Sequence, residues 1–195
     1  MDEHNPLGMR GIEFTEFCGP AVDALETLFL EFGFSKLRRH PTKDITYFRQ
    51  NDIHFLLNGE RQGFSAAFAQ AHGPSICSMG WRVDDAQQAL TEAVRRGARP
   101  VPAGIPDLPY PAIYGIGDSL IYFVESLGRT APIYDIDFVA LGSPAIRDAK
   151  GFERIDHLTN NVPVGEMSTN PSPARTRSAS SLRNTGVRGS STWPF

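Results

Sequence analysis

A strand, a helix and three further strands, given twice in succession, are what most restrict the folds open to this chain. Met9 to Phe17 (MRGIEFTEF) alternates apolar and polar residues as a half-buried strand does, and it ends at the turn signal Gly19-Pro20. From Val22 to Phe32 the period changes, with Leu25, Leu28, Phe29 and Phe32 at helical spacing, Asp23 and Glu26 near the start and Gly33 at the stop. Strands are expected at Phe34 to Arg39, Ile45 to Gln50 and Ile53 to Leu57, broken at Pro41-Thr42 and Asn51-Asp52. A short connecting helix is expected over Ser65 to Ala71, closed by His72-Gly73-Pro74. The order then restarts with a strand at Ser75 to Val83 and a helix at Ala86 to Arg96, capped by Asp84 or Asp85 and stopped by Gly97. Strands at Arg99 to Pro102, Ala112 to Ile116 and Leu120 to Glu125 complete it. The period is about 65 residues, a duplication of structure rather than of sequence.

The expected fold class is therefore α+β, with two βαβββ modules at about residues 9–63 and 75–127 inside an N-terminal domain of residues 1–127. Tyr134 to Leu141 (YDIDFVAL) alternates again within a connector of residues 128–150. A third unit would open at Gly151 to Val162 (GFERIDHLTNNV), because GFERIDHLT echoes MRGIEFTEF with Ile155, Asp156 and His157 on Ile12, Glu13 and Phe14. As a strand, this stretch places Ile155, His157 and Thr159 on one face and Asp156, Leu158 and Asn160 on the other. His157 then either faces a cavity as a metal ligand or is hydrogen-bonded at a sheet surface. Residues 151–167 read as the start of a further domain. The last 28 residues, Ser168 to Phe195, hold seven Ser, four Thr, four Arg and three Pro with no Asp, Glu or Lys, a composition expected to stay disordered.

Bulk properties narrow the function. In 195 residues, 41% hydrophobic, one well-filled core is feasible. A net charge of -3, from 19 basic and 22 acidic residues, favours neither nucleic acid nor an anionic membrane surface, so a small molecule is the expected partner. Cys18 and Cys77 lack the CxxC spacing of a zinc site and read as buried small hydrophobes in a reduced, cytoplasmic chain. No leader with an apolar core and no membrane-length apolar run is visible. GIG at Gly115 to Gly117 reads as a strand-end turn, His72 as a turn residue, and His4 and His40 carry no context.

Seven stretches carry a resemblance: GIEFTEF, LEFGF, YFRQNDIHFLLN, HGPSICSMGWRV, PYPAIYGIG, YDIDFV and above all IDHLTNNV. Over roughly Asn5 to Met167 the chain resembles the bacterial-type 4-hydroxyphenylpyruvate dioxygenases of the vicinal oxygen chelate superfamily, whose glyoxalase-like modules are βαβββ units. The resemblance implies an Fe(II) enzyme of tyrosine catabolism that converts an α-keto acid to homogentisate, with iron held only by the C-terminal domain. It also implies possible homo-oligomers. Its first iron-binding histidine falls on His157. The family's second histidine and its glutamate have no counterpart after Met167, which suggests a truncated or frame-shifted form, inactive alone. Two alternatives stand beside this. One is a hydroxymandelate synthase-type fragment. The other is a non-catalytic small-molecule binder like the bleomycin-resistance proteins. Separately, His54, Glu125 and Glu13 or Glu16 are candidate donors for a different metal cluster within the two modules.

Overall fold

The computed structural model describes residues 5–125 and 131–159, which include one open eight-stranded sheet. The elements run β1 (Met9–Cys18), α1 (Val22–Glu31), β2 (Ser35–Arg39), β3 (Ile45–Gln50), β4 (Ile53–Asn58), α2 (Phe64–His72), β5 (Ser75–Val83), α3 (Ala86–Arg95), β6 (Ala112–Tyr114), β7 (Leu120–Glu125), α4 (Ile133–Ile136) and β8 (Val139–Ala145). Across the sheet the order is β6-β7-β5-β1-β4-β3-β2-β8.

The duplication is visible in the pairing. The first strands of the two modules, β1 and β5, lie antiparallel at the centre. Each pairs in parallel with the last strand of its own module, β1 with β4 and β5 with β7. Antiparallel neighbours extend both flanks, β3 and β2 on one side and β6 on the other.

Period-two side-chain direction divides the apolar residues between the faces. On β3 and β4, Ile45, Tyr47 and Leu56 join one cluster while Phe48, Ile53 and Leu57 join another under α1. On β7, Leu120, Tyr122 and Val124 join the first cluster while Ile121 and Phe123 pack under α3. The first cluster is closed from outside the sheet by Leu108 and Tyr110 of the long β5–β7 connection and by Ile133, Tyr134 and Phe138. We call the face that carries it the inner face.

The helices start and stop for identifiable reasons. Asp85 Oδ1 accepts the Gln88 amide at 2.8 Å and caps α3, whereas Asp84 pairs with Arg10 on the surface. Gly33 ends α1 at φ 84°, letting the Phe34 amide reach back to the Phe29 carbonyl at 2.9 Å, and an added Cβ there would lie 2.6 Å from the Asp148 carbonyl.

Three sequence expectations need correction. Arg99 to Pro102 is not a strand: Pro100 makes an isolated bridge to Ile113, and only the Val101 amide and the Arg99 carbonyl bond to β6. Pro100 and Pro102 have no N–H to donate, so a regular ladder cannot form. Tyr134 to Leu141 is not one alternating segment, because its first part is the single helical turn α4. Its second part, β8, is an appended edge strand on β2, so the stretch expected as connector belongs to the sheet. Finally, residues 151–159 form no strand; Arg154 makes one isolated bridge to Asp52. Asp52 lies in the β3–β4 turn, where two residues do not provide an edge long enough to pair with. Asn160 to Val162 and the tail at 168–195 lie outside the described residues.

Phe14 on β1 faces Gly80 on β5, and its ring occupies the space that a Cβ at position 80 would take. Gly80→Ala should therefore displace a fully buried ring and destabilise the protein by about 1–3 kcal/mol. Urea unfolding should show a lower midpoint at unchanged slope.

Candidate functional site

His157 sits on the surface. Its side chain is 62% exposed, and its Nδ1 shares a 2.9 Å hydrogen bond with the carboxylate of Asp156. The segment leading to it is pinned to the β3–β4 turn: Gln50 Oε1 accepts the Lys150 amide at 2.6 Å, the Asp52 amide donates to the Glu153 carbonyl at 2.9 Å, and Ile155 packs on the cluster under α1. The chain is thus fixed up to two residues before the histidine. Among the described residues, no group of three or more His, Cys, Asp and Glu side chains could hold a metal ion, so an Fe(II) site is not complete within them.

The alternative donors are kept apart by partners of their own. Glu13 accepts a hydrogen bond from Arg82 Nε at 2.5 Å, and Arg82 also reaches Asp52 at 3.1 Å. His54, 7% exposed, shares a 2.8 Å hydrogen bond through Nδ1 with the Tyr47 hydroxyl and turns Nε2 toward Asp52 at 3.5 Å. Burial holds its pKa below the ordinary histidine range, so it is a neutral imidazole at neutral pH. Glu125 ends β7 exposed, lining a shallow depression of about 370 Å³ with Tyr110, Phe123 and Asp137. Of the four residues, only His54 and Glu13 share a neighbourhood, around Arg82 and Asp52.

Glu16 belongs to a second buried network. It is 1% exposed and accepts hydrogen bonds from Asn58 Nδ2 at 2.8 Å and from the Ser78 hydroxyl. Asn58 Nδ2 also reaches Asp107 Oδ2 at 3.3 Å, Asp107 accepts the Ser65 amide at 3.1 Å, and Lys43 Nζ contacts the Asp107 carbonyl at 2.5 Å. One amide group thus bridges two buried carboxylates with a single ammonium nearby. Burial pushes the Glu16 pKa above its ordinary value of 4.5, and the nearby Asp107 charge adds to the rise. Cys18 and Cys77 are both buried beside this network, as expected of small apolar residues. The Cys77 thiol is pushed up by its hydrogen bond to Cys18 and by burial, which disfavours a reactive thiolate.

His40 accepts the Lys43 amide at 3.1 Å in a turn and rests edge-on against Phe138, and His72 closes α2 against the ring of Phe68. His4 lies outside the described residues. The residues that organise the inner face and that the sequence did not single out are Tyr134, Arg82 and Asp107. Tyr134 was hidden by the strand-like alternation of YDIDFVAL. Arg82 and Asp107 carry no local pattern at all, since their partners are up to 69 residues away.

The family described as hydroxyphenylpyruvate dioxygenase, HPPD, N-terminal, matches residues 3–139. The chain is 60% identical over 165 residues to protein MelA of Shewanella colwelliana, covering 85% of this chain and 48% of the relative. It is 42% identical over 166 residues to the 4-hydroxyphenylpyruvate dioxygenase of Pseudomonas sp. (strain P.J. 874), covering 84% of this chain and 46% of the relative. A solved xylose isomerase-like TIM barrel/4-hydroxyphenylpyruvate dioxygenase fusion protein superposes with a TM-score of 0.71 at 33% identity, over 83% of this chain and 26% of its own. The chain spans about half the length of the curated relatives it matches.

The Glu16 network sets a pH dependence. A carboxyl raised in the folded state contributes stability that is complete below its unfolded value of 4.5 and is lost as pH rises toward the folded value. Glu16→Gln removes that titration while keeping the shape. The stability of the unaltered protein relative to the variant should fall as pH rises above 4.5, measured by urea unfolding at a series of pH values. A difference that stays flat from acid to neutral pH would show that Glu16 titrates as an ordinary carboxylate.

Proposed function

The chain belongs to the 4-hydroxyphenylpyruvate dioxygenase family through its N-terminal domain, and from that premise we propose that it supplies the N-terminal domain of an Fe(II)-dependent dioxygenase together with the first residues of its iron-binding half. The reaction would be that of the whole protein: oxidative decarboxylation of 4-hydroxyphenylpyruvate and ring hydroxylation to homogentisate, in cytoplasmic tyrosine catabolism. A soluble α-keto acid is the proposed substrate, nucleic acid and membrane are not proposed partners, and copies of the chain would associate in the assembled enzyme. Among the described residues no helix is long and apolar enough to cross a membrane.

The observation that carries this reading is the match of residues 3–139 to the family's N-terminal domain together with what fills the inner face. At the first-strand position that His157 would occupy in the next unit, the first module has Phe14, 0% exposed and packed on Tyr122 at 6.0 Å. A phenyl ring offers no lone pair to a metal, so this module cannot provide an imidazole there. We propose His157 as one of the iron ligands of the whole protein. Its exposure supports that role, because the contacts with the β3–β4 turn end at Ile155 and leave His157 free to join the further domain that residues 151–167 begin.

Facial ligation by two imidazoles and a carboxylate leaves positions for a bidentate keto acid and for dioxygen; one imidazole cannot hold the metal in that arrangement. The purified 195-residue chain, given Fe(II) and 4-hydroxyphenylpyruvate, should consume no oxygen above an iron-only blank in an oxygen electrode. Consumption dependent on the keto acid would overturn the reading. Joining residues 5–159 of this chain to the C-terminal half of the Pseudomonas 4-hydroxyphenylpyruvate dioxygenase should restore turnover. In that chimera His157→Ala should abolish both activity and bound iron. Retention of stoichiometric iron by the variant would remove His157 from the ligand set. In the 195-residue chain the same substitution should change stability by less than about 0.5 kcal/mol, as for an exposed side chain away from any packed contact.

A further inference from the structure

Tyr134 is packed as a bound ligand would be. Its ring lies 4.2 Å from that of Tyr47, with planes 10° apart, and 4.6 Å from that of His54, with planes 17° apart. Tyr47 and His54 are themselves joined through the 2.8 Å hydrogen bond between the hydroxyl and Nδ1, so β3 and β4 present one continuous two-ring platform beneath the tyrosine. At the far end the Tyr134 hydroxyl donates to the Glu13 carbonyl of β1 at 3.0 Å. Phe138 stands against its side at 6.3 Å, and Tyr134 is 3% exposed.

The element that delivers this ring is a single turn. α4 is four residues long, its Ile133 is buried in the inner cluster, its Ile136 is 55% exposed, and Asp135 is tied to Arg38 by a surface ion pair of 2.6 Å. Ring, hydroxyl acceptor and platform together fit a 4-hydroxyphenyl group. The recess also lies on the inner face, beside His54 and Glu13.

We propose that the recess over Tyr47 and His54 is a binding site for a 4-hydroxyphenyl group that Tyr134 occupies in cis, and that a free para-alkyl phenol takes the same place when the side chain is removed. The platform supplies two parallel aromatic faces, worth more than area burial alone. The Glu13 carbonyl supplies one acceptor for a phenolic O–H. The charged groups around it are already satisfied, Glu13 by Arg82 and Asp52 by Arg82, so the ligand class is neutral rather than ionic. The proposal does not depend on the iron-ligand role given to His157.

The test uses the full chain with Tyr134→Gly and 4-methylphenol, the free side chain of tyrosine. The melting temperature of the variant should rise with 4-methylphenol concentration, as a ligand that binds only the folded state requires, while that of the unaltered protein stays constant. Toluene, which has the same width but no hydroxyl, should bind about tenfold more weakly, the value of one buried hydrogen bond. If the glycine variant is unfolded alone, 4-methylphenol should restore its cooperative unfolding transition and near-ultraviolet circular dichroism. Four results overturn the proposal: no response of the variant to 4-methylphenol in either readout, an equal response of the unaltered protein, equal binding of toluene, or a Tyr134→Phe protein as stable as the unaltered one.

Discussion

The antiparallel pairing of β1 with β5 is the contact on which the rest of the molecule depends. It joins the two modules through their first strands, and among the described residues it is the only place where the sheet of one becomes the sheet of the other. Three irregularities in its register, at Met9/Gly11, Ile12/Phe14 and Glu16/Phe17, decide which β1 side chains reach the inner face. The second of them turns both Glu13 and Phe14 inward, one toward Arg82 and the other onto Gly80. Without that shift strict alternation would put the two on opposite faces, and either the ion pair or the ring packing would be lost.

This pairing explains the polar content of the interior. Glu16 on β1, Asn58 on β4 and Ser78 on β5 are neighbours because β1 is paired on both sides, in parallel with β4 and antiparallel with β5. A buried carboxylate is costly unless its lone pairs are used, and here an amide and a hydroxyl from the two adjacent strands use them. Asp107, from the long β5–β7 connection, enters the same network through Asn58 and the α2 backbone. The connection is thereby held over the sheet, where Leu108 and Tyr110 complete the inner cluster.

How far the sequence revealed this follows the range of the forces involved. β3, β5 and β7 were legible to their end residues, since alternation and flanking turns are local properties. The edges were less legible. Arg99 to Pro102 lies where the repeated module calls for a strand, but its prolines remove the donors a ladder needs. Tyr134 to Leu141 alternates convincingly, yet its first part is the helical turn α4, which lays Tyr134 on Tyr47 and His54, partners distant in sequence that no local pattern announces. In the candidate site, the motif singles out His157 but not its exposed setting, because that depends on Gln50, Asn51 and Asp52 capturing the chain about a hundred residues away.

The two modules show why a duplicated fold need not duplicate a site. A metal centre on this face requires several donors left unpaired by protein, held around a space that is neither filled nor fully wet. Each requirement is met here in the opposite sense: Phe14 fills the first-strand position, Glu13 is paired with Arg82, Glu16 is bonded by Asn58 and Ser78, His54 is a neutral partner of Tyr47, and Tyr134 covers the platform. Every one of these contacts adds packing or satisfies a buried polar group, and together they make a face that stabilises the domain by giving up coordination. A protein built from two such domains can then separate the demands, with one half providing a rigid core and the other keeping the strained, unsatisfied geometry that metal chemistry needs. In that division the filled inner face gives a domain that packs without metal, and the chain leaves it before His157, whose side chain stays 62% exposed.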